Sequence, residues 1–242
     1  MNKGKVFVIG IGPGGLDYMA PAARAALELS DVVVGYKTYI DLVESLITEK
    51  EVVSSGMRKE VDRCNHVLEI ADQGKSVSLI SSGDAGIYGM AGILLELAGE
   101  DVDVEVIPGI SAANAAAACL GAPLMHDWAT ISLSDLLTDW DLIRKRLDCA
   151  AQGDFVTALY NPKSKGRQTQ IVEAQEIMLQ HKSPDTVVGI VRNAMREGQE
   201  VEVTSLKDMC KCEINMFTVV IIGNSKTMIK NGKMVTPRGY RV

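Results

Sequence analysis

The chain has 242 residues, 47% of them hydrophobic and 5% aromatic, and a formal net charge of −6. That apolar content builds one large or two modest cores without disulfide or metal staples. An acidic balance with few aromatics excludes a nucleic-acid binder, which needs a basic face and stacking platforms.

A strand is predicted over 6–9, running into Gly10, Gly12 and Gly15, spaced G-x-G-x-x-G. The spacing matches the dinucleotide fingerprint, in which glycines admit a pyrophosphate to the N-terminus of a helix. Two residues disagree. Pro13 removes an N–H donor from the loop, and Asp31 falls at the start of the next strand, 32–34, on the wrong edge to hold a ribose. The loop therefore reads as a sharp strand-to-helix turn with another purpose. Helices over 20–29, 61–72 and 87–98 alternate with strands over 51–53, 77–80 and 104–107, and the alanine-rich run 113–119 reads as a helix packed closely against a neighbour or a ligand. The segment from Gly121 through Pro123 to Asp127 stops both periodicities and marks a linker. Beyond it, strands over 130–133, 155–160, 187–192 and 218–222 start a second unit. The expected fold class is α/β: two α/β domains, 1–122 and 123–242, with largely parallel strands and an interdomain cleft.

Five cysteines, Cys64, Cys119, Cys149, Cys210 and Cys212, lack paired spacing and suggest a reducing cytoplasm. The basic start is followed by too short an apolar run for a signal peptide, and the uncharged stretch 107–125 is broken by Pro108, Gly109, Gly121 and Pro123, so no membrane span is expected. Cys210 and Cys212 have no second pair to complete a metal site, and His66, His126 and His181 have no zinc-helix partner. Gly74-Lys75-Ser76 lacks the first glycine of a phosphate loop, and Gly109-Ile110-Ser111-Ala112-Ala113 lacks the last glycine of a nucleophile elbow. What remains is a set of turn-rich segments after predicted strands, where open α/β sheets place ligands: Ser81 to Gly86, Pro108 to Ala112, Asn161-Pro162, and Arg192 to Ala194.

Taken together, Val8-Ile9-Gly10-Ile11-Gly12-Pro13-Gly14, Ser82-Gly83-Asp84, Val106-Ile107-Pro108-Gly109-Ile110-Ser111-Ala112 and Val220-Ile221-Ile222-Gly223 resemble the tetrapyrrole (class III) S-adenosylmethionine-dependent methyltransferases of corrin and siroheme synthesis. Gly35-Tyr36-Lys37-Thr38-Tyr39, the run from Ser81 to Met90, the segments from Gly121 to Asp127 and from Ser132 to Thr138, and Thr236-Pro237-Arg238-Gly239-Tyr240 look like its precorrin-3B or cobalt-precorrin-3 C17-methyltransferase branch in cobalamin synthesis. The resemblance implies S-adenosylmethionine as methyl donor, a tetrapyrrole substrate with or without cobalt, ring contraction, a cytoplasmic homodimer and no resident metal.

By position it also implies a cofactor set of Pro13, Ser82, Gly83, Asp84, Ile87, Ser111, Ala112, Tyr160, Asn161, Asn193, Met216, Phe217 and Thr218. Gly12, Lys37, Arg58 and Ser132 are substrate candidates, and His126 and Asp127 at the linker are candidates for the proton transfers of ring contraction. Ala85 departs from the proline that many relatives carry after the acid. Lys37, Arg58, Lys59, Arg63, Lys163, Lys165, Arg167 and Arg192 form a pool of cations for substrate carboxylates. Another precorrin or uroporphyrinogen methyltransferase of the same family, a non-catalytic corrinoid carrier and a nicotinamide oxidoreductase remain open as rivals.

Overall fold

A computed structural model describes residues 3–56 and 59–240. The chain divides into two compact units, Met1–Ala112 and Ala113–Val242. Each has its own five-stranded sheet.

In the first unit, Val6–Gly10 (β1), Pro21–Leu29 (α1), Val32–Tyr36 (β2), Lys37–Val43 (α2), Glu51–Ser55 (β3), Glu60–Asp72 (α3), Val77–Ser81 (β4), Ala91–Leu97 (α4) and Val104–Ile107 (β5) follow in order. The strands lie in the order β3-β2-β4-β1-β5 and every pairing is parallel. Parallel neighbours need crossovers, so helices cover both faces and the central strands are apolar throughout. Val6, Val8, Val34 and Leu79 pack with Val67 and Leu94 on one face. Phe7, Ile9, Val33 and Ile80 pack with Leu27 and Ile40 on the other. All five strands predicted here are present. Helix α4 starts later than the sequence pattern suggests: the amide of Ile87 bonds back to the Asp84 carbonyl, and Tyr88 has φ +55, so the loop runs on to Met90.

The second unit opens with Ala112–Leu120 (α5) and Gly121–Ala122 (β6), then Trp128–Ser132 (β7), Trp140–Gln152 (α6), Val156–Tyr160 (β8), Gln170–Leu179 (α7), Val187–Arg192 (β9), Glu200–Ser205 (β10) and Thr218–Ile222 (β11). Met228–Lys230 (β12) and Lys233–Val235 (β13) form a small sheet with β6. The division falls after Ala112, the first residue of α5, earlier than the glycine and proline punctuation at 121–127. The reason is packing: a Cβ on Gly189 of β9 would stand 2.3 Å from Leu120 Cδ1, so the helix end is seated on the second sheet.

That sheet, β10-β9-β11-β8-β7, is mixed rather than largely parallel. Only β7 and β8 run parallel, while β11 is antiparallel to both β8 and β9. The connection 193–199 is too short for a crossover helix, so β10 folds back on β9 as a hairpin. Strand β10 alternates Glu200-Val201-Glu202-Val203, the period of a strand with a solvated face; its charge hides it from a search for apolar runs. Its core joins Leu159, Ile190 and Val220 of the sheet to Ile143, Leu147 and Met178 of α6 and α7. Among the described residues, no helix is long and apolar enough to cross a membrane.

Candidate functional site

In the first unit the glycine loop leaves the C-terminal end of β1 and is held by backbone bonds to the loop after β4. The Ile11 amide donates to Ser81 O at 2.9 Å, that of Gly12 to Gly83 O at 3.0 Å, and that of Gly83 back to Gly12 O at 2.7 Å. Two of the loop's amides, those of Ile11 and Gly12, are therefore engaged, and Pro13 has none to offer. No helix N-terminus follows either. A 3-10 turn over Leu16–Tyr18 comes next, and α1 begins only at Pro21. Asp31 stands at the opposite end of the sheet, accepting from the Ser76 amide at 2.8 Å. Gly12, at φ +75, is confined to glycine on two counts, since a Cβ there would also lie 2.9 Å from Tyr18 O.

Next to this loop, three strand ends meet backbone against backbone. A Cβ on Gly109 would fall 2.2 Å from Gly83 O and 2.5 Å from Gly10 O, and one on Gly10 would fall 2.7 Å from Gly83 O. The Asp84 carboxylate ties the junction together: Oδ1 accepts from the Gly86 amide at 2.8 Å and Oδ2 from the Gly109 amide at 3.0 Å. Asp84 thus braces two loops and does not cap α4, which begins beyond it at Ala91. Ser82 is half-buried, Ser111 buried and Ile87 exposed, while Ala112 starts α5. Lys37, exposed at the start of α2, is on this same C-terminal edge. The structure therefore collects Gly12, Pro13, Ser82, Gly83, Asp84, Ile87, Ser111, Ala112 and Lys37 along one rim. Arg58 lies outside the described residues.

The second unit builds a comparable rim from side chains. Ser132 pairs with Tyr160 across β7 and β8, and Thr218 faces Arg192 across β11 and β9, so the ends of four strands line up. The Tyr160 hydroxyl accepts from the Ala113 amide at 2.8 Å, satisfying a donor in the first turn of α5. Asn161, at φ +50, donates Nδ2 to Ser132 Oγ at 3.0 Å, and its carbonyl accepts from Arg167 Nη2 at 2.8 Å. Asn193, at φ +47, donates its amide to Phe217 O at 3.1 Å and its side chain to Gly198 O at 3.2 Å. Thr218 is buried against Asn215, whereas Met216 and Phe217 are 41% and 54% exposed.

Arg167 was named only as one cation among many, yet it organises this rim. Its Nη1 also reaches Ser134 Oγ at 3.4 Å, and its Nε is buried without a partner. The residue signal was its place just after the Asn161-Pro162 turn. Arg192 is spent elsewhere: it pairs with Glu213 and Glu200, which hold the guanidinium above its ordinary pKa.

His126 and Asp127 do not join the rim. They precede β7, whereas Ser132 ends it, so the length of a strand, roughly 15 Å, separates them from Ser132 and Asn161. They line a cavity of about 260 Å³ with Asp154 and Ser225 at the opposite end of the sheet. Their nearest relation is local, the Asp127 amide donating to His126 Nδ1 at 2.9 Å. The linker placed them together in sequence, and the strand then carried the chain away from them.

Residues 5–210 match the family described as tetrapyrrole (corrin/porphyrin) methylases. A cobalt-factor III methyltransferase of Priestia megaterium is 52% identical over 99% of this chain, which spans 46% of that longer protein. A probable cobalt-factor III C(17)-methyltransferase of Salmonella typhimurium is 49% identical over 96% of this chain and 98% of its own length. The crystal structure of the methyltransferase CobJ superposes with a TM-score of 0.89 at 37% identity, covering 97% of this chain and all of that one.

Proposed function

Since the chain belongs to the tetrapyrrole (corrin/porphyrin) methylase family, we propose that it transfers a methyl group from S-adenosylmethionine to carbon 17 of a precorrin-3-type macrocycle, with ring contraction, in cobalamin biosynthesis. The names of the two relatives favour the cobalt-containing substrate. The observation that carries the proposal is the occupied glycine loop. With the Ile11 and Gly12 amides bonded to the loop after β4 and no N–H at Pro13, it is a poor cradle for a nucleotide phosphate, and its glycines let a flat ligand come close to the backbone.

The second rim suits adenosylmethionine. Exposed Phe217 and Met216 supply an apolar face for adenine beside the polar loop ends of Asn161 and Asn193. When bound, the cofactor supplies a methyl group on a sulfonium, and the bonding pair stays with sulfur as the methyl moves to carbon. The chain's own contribution is orientation. Asp84 and the glycines Gly10, Gly83 and Gly109 fix one set of loops, Arg167 and Asn161 fix the other, and no nucleophilic side chain is needed, because holding reactants in line supplies a large part of the acceleration. The chemistry of a cytoplasmic homodimer belongs to the same proposal, and light scattering at working concentration checks the dimer.

The experiment is turnover with cobalt-containing and metal-free precursors side by side, reading adenosylhomocysteine release and product mass. One added methyl group with stoichiometric adenosylhomocysteine is the expected result. Macrocycle binding without adenosylhomocysteine would indicate a carrier, and saturable nicotinamide binding would restore the oxidoreductase.

A further inference from the structure

The first unit has a second pocket, of about 210 Å³, beside the ends of β2 and β3. Val34 and Val53 give it an apolar side, and Ser55, Lys59 and Arg63 a polar one. Arg63 is only 6% exposed, yet its hydrogen-bond partners are all uncharged: Nε donates to Ser55 Oγ at 2.8 Å, Nη2 to Gly56 O at 2.9 Å and Nη1 to Met90 Sδ at 3.6 Å. Among the described residues it makes no ion pair. A buried guanidinium without a counter-charge is unfavourable, and three engaged N–H groups leave two of its five donors to spare.

Two further features make the pocket positive. Lys59 is the N-cap residue of α3 and provides no capping side chain, so the positive end of this 13-residue helix opens where Lys59 and Arg63 meet. The first turn of α3 carries Glu60 and Asp62, but of these only Asp62 lines the pocket, and it is exposed and therefore solvated. The pocket lies on the same C-terminal edge of the sheet as the rim already described: Ser55 ends β3 beside Tyr36 of β2, and Met90, which receives Arg63 Nη1, donates its amide to Ser81 Oγ at the end of β4.

We propose that this pocket binds a carboxylate, namely one acidic arm of the tetrapyrrole, with Arg63 as the buried cation and Lys59 as the exposed one. The proposal rests on the methyltransferase reading for its substrate. It assigns to two residues of the cationic pool a task that the glycine junction, which carries no cation, does not perform. An arm lodged there would hold the macrocycle in one rotational setting over the rim, so that one peripheral carbon faces the methyl donor.

The test uses uroporphyrin, a tetrapyrrole with a carboxylate on every peripheral arm, titrated into the native protein, Lys59→Gln and Arg63→Met, with inorganic phosphate and adenosylhomocysteine titrated in parallel. Loss of a hydrogen bond to a charged partner predicts uroporphyrin binding about tenfold or more weaker in each variant, with adenosylhomocysteine affinity unchanged. Lys59 is exposed, so Lys59→Gln folds even if Arg63→Met does not, and a calorimetric melt reports which variants fold. Unchanged uroporphyrin affinity in the folded variants overturns the proposal and leaves Arg63 as a tie for the loop after β3. Phosphate binding that vanishes in the variants while uroporphyrin affinity stays constant also overturns it, in favour of a site for free ions. A native protein that binds neither uroporphyrin nor adenosylhomocysteine sinks the methyltransferase reading and this proposal together.

Discussion

The two rims solve one problem, holding several loops still at the end of a sheet, with different materials. The first unit uses backbone: Gly10, Gly83 and Gly109 approach so closely that no side chain fits, and a single carboxylate, Asp84, pins the contact. The second uses side chains, a relay from Arg167 through Asn161 to Ser132 and a separate bond from Tyr160 to Ala113. An all-parallel sheet sends several adjacent strands out at the same edge, crowding their loops. A mixed sheet alternates exits and entries, so the gaps between loops must be bridged by longer groups. Disturbance of the first rim should therefore be steric and all-or-none, and of the second, graded and polar.

The largest expected effect is at the backbone junction. Gly109→Ala forces a Cβ to within 2.2 Å of Gly83 O, a backbone atom that has nowhere to retreat, and should destabilise the first unit by about 3 kcal/mol or more. Thermal unfolding measures it, with Gly92→Ala as the control: that helical glycine has nothing within 4 Å, and alanine there should be neutral or stabilising by up to about 1 kcal/mol. Equal behaviour of the two variants would end the steric account.

Removing the pin comes next. Asp84→Ala leaves the Gly86 and Gly109 amides without their acceptor and should lose about 2–3 kcal/mol of stability, with a parallel loss of adenosylhomocysteine affinity. Asp84→Asn should fall between native and alanine, because one amide oxygen replaces two carboxylate oxygens and its NH2 faces an N–H donor. A silent asparagine variant would show that one of the two bonds contributes nothing.

The second rim should respond more gently. Arg167→Met removes the donor to Asn161 O while keeping the aliphatic stem, and about tenfold weaker adenosylhomocysteine binding is expected from calorimetric titration. A KM increase for the methyl donor at constant kcat would fit a positioning role, whereas an equal loss in both variants of a Met and Lys pair would trace the effect to the fork of the guanidinium rather than its charge. Tyr160→Phe is the smallest change, a single hydroxyl accepting one amide, and should reduce stability by about 1 kcal/mol, read from the melting temperature.

Much of the frame was legible beforehand because central strands covered on both faces are apolar throughout, as in parallel β1, β2 and β4 and in antiparallel β11. Charged β10 was not legible in that way, since an edge strand shows half its residues to solvent. Within the candidate site, the placement of Pro13 and Asp31 was legible from chain position alone: Pro13 takes a donor out of the loop, and Asp31 precedes its strand and lies at the far end of the sheet.

Sequence by itself therefore determined what local chemistry dictates: where strands begin, which turns demand glycine, and that the chain after β1, β4, β5, β8 and β9 runs into turn-rich segments. Tertiary structure alone decided how those loops share their bonds. From sequence Asp84 stood only in the implied cofactor set; its part as a brace came from the Gly109 amide, distant in the chain, which lies against its Oδ2. His126 and Asp127 were separated from Ser132 by the direction of β7, and Arg167 was singled out from seven other cations of the pool by the carbonyl of Asn161. Hydrogen-bond partners, unlike periodicity, are set by contacts between remote segments, and a linear pattern of residue types carries no record of which remote atoms meet.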